Sequence, residues 1–420
     1  MGEHGGVRPT GPEFDNVFNT EFRAAWPRIV RVLAAWSGSL DDAEEYAAEA
    51  MARAVARDDI DDIDDLAAWC VRVAKRAWVD DHRRRGTFAR LAPELASDVG
   101  MAAVETGELP EELDDRLALL FVACDDALAP GAQMVLALRV VCGLSIAEVA
   151  MHLGIQESAA AARLTRAKKL LAQARGEFRV PDAAERAARL PVVLACVAGM
   201  FTVAHRSVLD PQDALADVGA QALSIADALV ALFPQDTEVR GLRAVVRLGL
   251  ARRPARVDDD GIALTLDEVD RSRWDRRQLR AGLHDAAYAA SGDGRFALEA
   301  AISGIHSIAP SVAQTDWQRI VNLYGALLRT WPSPAVRLAT RTARAQVALS
   351  DGGDLTGIER ELESLAYDGP SYARRDAAFA LADLFWRTDR RETAAARYRD
   401  LASVSTSEAV RRFCQSRSEA

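Results

Sequence analysis

At 420 residues the chain is too long for a single core and points to two or three domains. Half of it is apolar and 27% is charged, which excludes a disordered polymer; aromatics at only 6% beside abundant alanine favour helices packed closely through small side chains. A net charge of −10 excludes a nucleic-acid binder that works by bulk charge, because phosphate contacts supply most of such affinity, so any DNA contact must use local basic patches or a partner.

The chain opens with a Gly- and Pro-rich stretch, residues 1–12, expected to be a flexible tail. It contains no apolar run, and no later stretch approaches the roughly 20 apolar residues of a membrane span, so the expectation is a cytoplasmic protein without membrane contact. Residues 13–85 read as one helical domain. FRAAWPRIVRVLAAW repeats apolar residues at three and four spacing. DDAEEYAAEAMARAVAR follows, with early acids that suit a helix N-terminus and with Ser39 or Asp41 as its cap. DDIDDIDD, with six aspartates in eight residues, is a connector; it lacks the glycine and spacing of a calcium loop. The helix LAAWCVRVAKRAWVDDHRRR closes the domain. Residues 86–110 have weak periodicity and several breakers and read as a linker.

Residues 111–178 form a second helical domain. LSIAEVAMHL and ESAAAARLTRAKKLL flank a turn at Gly154, the outline of a helix-turn-helix. Leu144, Ile146, Val149, Ala150, Leu153 and Ile155 fall where two such helices pack. From 179 to 420 nearly everything is amphipathic helix. RPARVDDDGIALTL interrupts it with a D-D-G turn between two short alternating runs, which predicts one small β-hairpin. Leu298, Ile302 and Ile305, then Ile358, Leu362 and Leu365, then Ala394, Tyr398 and Leu401 recur at equivalent spacings, and Ala382 and Phe385 join the last group. These are tetratricopeptide-like offsets. The expected fold is all-α: two small helical domains, the second a helix-turn-helix, followed by a helical-repeat domain with one small β-hairpin.

Catalytic signals are poor. There is no HExxH, GxSxG, Walker loop or Rossmann fingerprint. The cysteines Cys70, Cys124, Cys142, Cys196 and Cys414 are scattered and form no CxxC, so no disulfide, metal site or cofactor is expected. Three binding surfaces stand out instead. Asp42, Glu45 and Glu49 share one helix face at i, i+3 and i+7, which suits a basic partner. Trp69, Arg72, Lys75 and Arg76, with Arg83, Arg84 and Arg85 beyond, interleave aromatics and cations as single-stranded nucleic acid requires. In the helix-turn-helix, Ser158, Arg163, Arg166, Lys168 and Lys169 are placed to meet duplex phosphates. Ala159 to Ala162 offer no bidentate base contact there.

The order acidic helix, aromatic-basic helix, linker, helix-turn-helix resembles a bacterial RNA polymerase sigma factor of the extracytoplasmic-function group. DAEEYAAEAMARAV is similar to the helix that docks on core polymerase, although Ala48 stands where glutamine is frequent. LAAWCVRVAKRAWVDDHRRR resembles the element that captures the melted minus-ten strand, and LSIAEVAMHLGIQESAAAARLTRAKKLL the one that meets the minus-thirty-five duplex. LDDRLALLFVACDDALAPGAQMVLALRVVCGLS and RRPARVDDDGIALTLDEVDRSRWDR resemble a subgroup with a tetratricopeptide-like C-terminal extension. The resemblance implies core polymerase and promoter DNA as partners: Asp42, Glu45 and Glu49 toward polymerase, the basic residues above toward DNA. The extension is implied to regulate the rest through an intramolecular contact. A conventional helix-turn-helix regulator with a repeat-type sensor, and a helical scaffold with decayed DNA-binding parts, are the alternatives.

Overall fold

The computed structural model describes residues 12–57, 63–84, 113–207 and 216–419. Residues 1–11 of the expected tail, part of the aspartate run, Arg85 and the whole expected linker lie outside the described residues. The chain divides into two compact units, Met1–Met200 and Phe201–Ala420.

In the first unit, α1 (Pro12–Ser37), α2 (Leu40–Val55) and α3 (Leu66–Arg84) pack on one another. Ser39 caps α2 by accepting from the Asp42 N–H, satisfying one of the donors a helix start leaves open. Ile29, Val30 and Leu33 of α1, the small stripe Ala43, Ala47 and Ala50 of α2, and Cys70, Val71 and Ala74 of α3 are all buried where the three helices pack. Alanine at those positions lets the three helices approach closely. The next helices are α4 (Asp115–Ala123), α5 (Pro130–Val140), α6 (Ile146–Leu153), α7 (Glu157–Arg175) and α8 (Ala183–Ser207). Every residue of α4 from Leu117 to Ala123 is buried, so it reads as a core helix rather than an amphipathic one.

Asp125, just after α4, is 1% exposed. Arg175 reaches its two oxygens at 2.8 and 3.0 Å, and Arg189 of α8 approaches at 2.7 Å. Burial pushes the Asp125 carboxyl up, but Arg175, the Ala127 N–H and Arg189 outweigh it and bring it to about 2.

The second unit contains α9 (Ala216–Leu232), α10 (Thr237–Arg252), α11 (Arg276–Ala289), α12 (Arg295–Ile308), α13 (Trp317–Thr330), α14 (Pro334–Asp351), α15 (Thr356–Asp368), α16 (Ser371–Arg387), α17 (Arg391–Val404) and α18 (Glu408–Glu419). Each packs on the next in sequence, and α10 also meets α12. Gly241 makes that second contact possible: a Cβ there would lie 2.5 Å from the Phe296 carbonyl carbon. Buried Asp285 of α11 holds α10 through Arg243, at 2.6 and 2.8 Å, and Arg247 at 3.2 Å. Leu298, Ile302 and Ile305 join one core with Ile320 and Leu327. Leu362, Ala382, Phe385, Ala394, Tyr398 and Leu401 join another, and Ile358 and Leu365 pack against it.

The expected β-hairpin is not formed; no β-strand is present among the described residues. The D-D-G turn itself closes: Gly261 takes φ 75°, the Asp258 carboxylate accepts from Ile262 N–H at 2.7 Å, and Val257 and Ala263 make one isolated antiparallel bridge. The ladder stops on both sides for identifiable reasons. Upstream, Pro254 sits in the 3₁₀ turn Arg253–Ala255. Downstream, the Leu264 N–H still reaches the Arg256 carbonyl at 3.0 Å, but Thr265 then turns back onto Glu268; the outward Ala263 N–H is taken by the Ala409 carbonyl at 3.2 Å. The alternating pattern therefore serves a loop pinned to α18.

Asp125→Ala is expected to cost about 3–5 kcal/mol, because it leaves Arg175 and Arg189 facing a buried gap. The folded carboxyl sits near 2 and the unfolded one near ~3.9, so its stabilisation is complete above about pH 4 and is lost as pH falls toward 2. Thermal unfolding of both proteins from pH 6 to 2 checks this: the wild-type advantage should shrink across the lower half of that range.

Candidate nucleic-acid interface

Two helices carry the expected contact residues, and each divides cleanly into a buried and an open face. On α3, Ala67, Cys70, Val71, Ala74 and Trp78 face the core, whereas Arg72, Arg76, Arg83 and Arg84 are exposed. Trp78 is fixed three ways. Its Nε1 donates to Asp42 of α2 at 3.1 Å, its ring stacks on His82 at 3.7 Å, and it meets Trp36 edge-on at 4.8 Å. Tyr46 donates to Asp81 at 2.8 Å and ties the same two helices. Lys75 lies 5.1 Å over Trp36, and Arg57 lies 5.5 Å over half-buried Trp69. Part of the aromatic-cation pattern is thus internal packing, and the open remainder is a row of arginines.

Asp42, Glu45 and Glu49 differ in the same way. Asp42 is spent on Trp78. Glu45 is exposed, and Glu49 is exposed with Arg53 at 2.7 Å. The more consequential acids of α2 are Asp41, expected only as a possible cap, and Glu44, which no spacing singles out.

The helix-turn-helix is built as its sequence suggests. Ser145 and Glu148 form a reciprocal capping box at the start of α6, and Gly154 ends it at φ 63°. Burial raises the Glu148 carboxyl, but the Ser145 N–H and the Arg23 guanidinium at 2.6 Å outweigh it and hold it below the usual range. Leu144, Val149 and Ala150 are buried; Ile146, Leu153 and Ile155 are half-buried. Along α7 the inward stripe is Ala160, Leu164, Ala167 and Leu171. Ala160 is therefore a core residue, and only Ala159, Ala161 and Ala162 reach the partly open side. Ser158, Arg166 and Lys169 are exposed, and Arg163 is half-buried.

Lys168 is not on the open face. Its side chain is 14% exposed and its ammonium lies 2.6 Å from Asp41 and 2.8 Å from Glu44. Burial works against its charge, yet Glu44 and Asp41 hold its pKa above the ordinary lysine value. Glu44, 7% exposed, also receives the Arg139 guanidinium at 2.5 Å. Arg139 in turn sits 5.1 Å over Trp26 of α1, whose ring lies against Gly143. Arg31 of α1 donates to the Leu113 carbonyl at 2.6 Å and to Asp115 at 2.8 Å. The helix-turn-helix half is thus clasped against α1 and α2. No sequence spacing announces these pairs, because their partners lie roughly a hundred residues apart.

Residues 22–88 match sigma-70 region 2, residues 119–171 match sigma-70 region 4, and residues 189–290 match a family of unknown function, DUF6596. The chain is 35% identical over 325 residues to an uncharacterised protein of Rhizobium meliloti (strain 1021), covering 75% of this chain and 76% of that protein. No solved structure matches. Regions 2 and 4 are non-catalytic transcription-factor regions, so the chain is a transcription factor rather than an enzyme. It belongs to the sigma-70 family, with a further C-terminal domain shared with the Rhizobium protein. Among the described residues no group of acids, histidines and cysteines could hold a metal, and no helix is long and apolar enough to cross a membrane.

Arg166→Ala and Lys169→Ala are each expected to weaken duplex binding evenly across sequences and to lower the logarithmic salt slope by about one. Titrations at several salt concentrations measure this, with Gln173→Ala on the same helix as the neutral reference.

Proposed function

We propose that the protein is a sigma factor of the extracytoplasmic-function group that binds core RNA polymerase and directs it to promoters in the cytoplasm. The observation that carries this reading is the succession of a region-2 match and a region-4 match, each over a helix with an open row of cations. Glu45 and Glu49, with Asp42 holding the frame, present the acidic face toward polymerase. Arg72, Arg76, Arg83 and Arg84, with Lys75, Trp69 and Arg85, meet the melted strand. Ser158, Arg163, Arg166 and Lys169 hold the upstream duplex by its phosphates, and Lys168 joins them when released from Asp41 and Glu44. With Ala159, Ala161 and Ala162 standing between the polar residues near the start of α7, upstream choice rests mostly on phosphates, methyl contacts and DNA shape. The net charge of −10 fits a protein whose DNA grip is supplied mostly by the polymerase. Residues 179–420 act as a tetratricopeptide-like regulatory extension; the successive packing of α9 to α18 supports an array of this kind.

Purified protein mixed with core polymerase is expected to co-elute in gel filtration and to start transcription at new sites on genomic promoter fragments. Removing residues after about 180 should change the level of that transcription. Duplex binding without co-elution would replace the reading with a conventional helix-turn-helix regulator.

A further inference from the structure

Cations drawn away from water need counter-charge, and the second unit holds two arginines, Arg252 and Arg271, that have no carboxylate partner among the described residues. Arg252 ends α10 and crosses to α12, where it donates to Ser303 at 3.2 Å and to Ser307 at 3.4 Å, both neutral hydroxyls. Arg271, in the 3₁₀ turn Arg271–Arg273, donates from one nitrogen to the His306 carbonyl at 2.9 Å and the Ala309 carbonyl at 2.5 Å. Both guanidiniums therefore converge on the last two turns of α12. The second terminal nitrogen of Arg271, Nη2, is buried and makes no hydrogen bond, and the same holds for Nδ1 of His306. The acids in this part of the chain are spent elsewhere. Glu299, one turn before Ser303, pairs with Arg295 at 3.0 Å; Asp270 accepts from the Ser272 N–H; Asp259 pairs with Arg273 at 3.1 Å. Closing the end of α12 accounts for one nitrogen of Arg271. It leaves Nη2, Arg252 and the His306 ring unexplained.

We propose that Arg252, Arg271 and His306 form a binding site for a phosphate group, carried by the free ion or by a small phosphorylated compound. Two guanidiniums without a carboxylate call for two negative charges, which a phosphate dianion supplies and a single carboxylate does not. The donors are the Arg252 fork, Nη2 of Arg271, and Nδ1 of His306 in the tautomer that carries its proton there. Burial, then Arg256 and Arg271, push the Arg252 guanidinium down to about 10; burial, then Arg252 and Arg271, push His306 down to about 4. Burial also lifts the neighbouring Tyr324 hydroxyl of α13 to about 12. Yet Arg252, Arg271, His306 and Tyr324 all stay half-buried, so they line a recess that solvent reaches rather than a closed core. Trp274, 4.8 Å from the Arg271 guanidinium, and Trp317, edge-on to His306 at 5.0 Å, steady its walls. Arg252 and Arg271 lie inside the stretch matched by the family of unknown function, and the site does not depend on the sigma-factor reading.

The test titrates the full chain with inorganic phosphate at constant ionic strength, by calorimetry and by thermal unfolding, with acetate as the carboxylate reference. Phosphate should bind and raise the melting temperature, and acetate should do neither. Arg252→Gln should weaken phosphate binding by about tenfold or more. In phosphate-free buffer the same variant should melt at or above the wild-type temperature, because no carboxylate loses its partner. An arginine with a purely structural role would give the reverse, a lower melting temperature and an unaltered phosphate affinity. Arg252→Lys, which keeps the charge but not the fork, should fall between the two. Arg329→Gln, exposed on α13, should bind phosphate as the wild type does. Glycerol phosphate binding more tightly than inorganic phosphate would assign the site to a phosphorylated compound, and weaker binding would assign it to the free ion. No binding of either in the millimolar range, equal responses to phosphate and acetate, or full phosphate affinity in Arg252→Gln would overturn the site.

Discussion

A carboxylate removed from water must find cations or lose its charge. Glu44 finds two, and neither belongs to its own half of the first unit: Arg139 lies in the last turn of α5, and Lys168 lies on α7. Around that pair the rest of the joint is ordered. Arg139 sits over Trp26, Trp26 fills the space left by the Gly143 turn, and Arg31 anchors the entry to α4. The region-2 helices and the helix-turn-helix are thus not two beads on a string but partners through a charged, partly buried seam. Seams of that kind are specific in register and open more readily than an apolar core.

Helices α3 and α7 show how one element combines a packed face with an open one. On α3 the same stretch that fixes Trp78 against α2 exposes Arg72 and Arg76 on the opposite side. On α7 the stripe Ala160, Leu164, Ala167 and Leu171 must stay small and apolar to sit on its neighbours. This accounts for one of the four consecutive alanines by packing alone. The other three add no hydrogen-bonding group to the partly open side of α7, whose polar contacts are left to Ser158, Arg163, Arg166 and Lys169.

Much of this was legible in the sequence. The helix-turn-helix could be placed because Gly154 and the apolar spacing are local signals; the Ser145–Glu148 box, equally local, emerged with the structure. The repeated triads around Leu298, Leu362 and Tyr398 did mark inward faces. Local reasoning failed where the deciding partner was distant. The run after Arg256 alternates like a strand, but the turns at Pro254 and at Thr265–Glu268 cut it short, and its outward Ala263 N–H is held by Ala409, far along the chain. Asp42 and Lys168 were expected to face outward from their helical spacing; Trp78 and the acids of α2 hold them inward. Spacing fixes which residues share a face, and only the packing decides whether that face is open.

The central claim is that this chain gives core polymerase the ability to find and open a promoter. Permanganate probing of unpaired thymines on a promoter fragment tests it most directly, because melting is the step that neither a duplex-binding regulator nor a scaffold performs. The account predicts reactive thymines around minus ten only when the chain and core polymerase are present together. A fragment that stays unreactive with both present, across the promoters of the source genome, would contradict it.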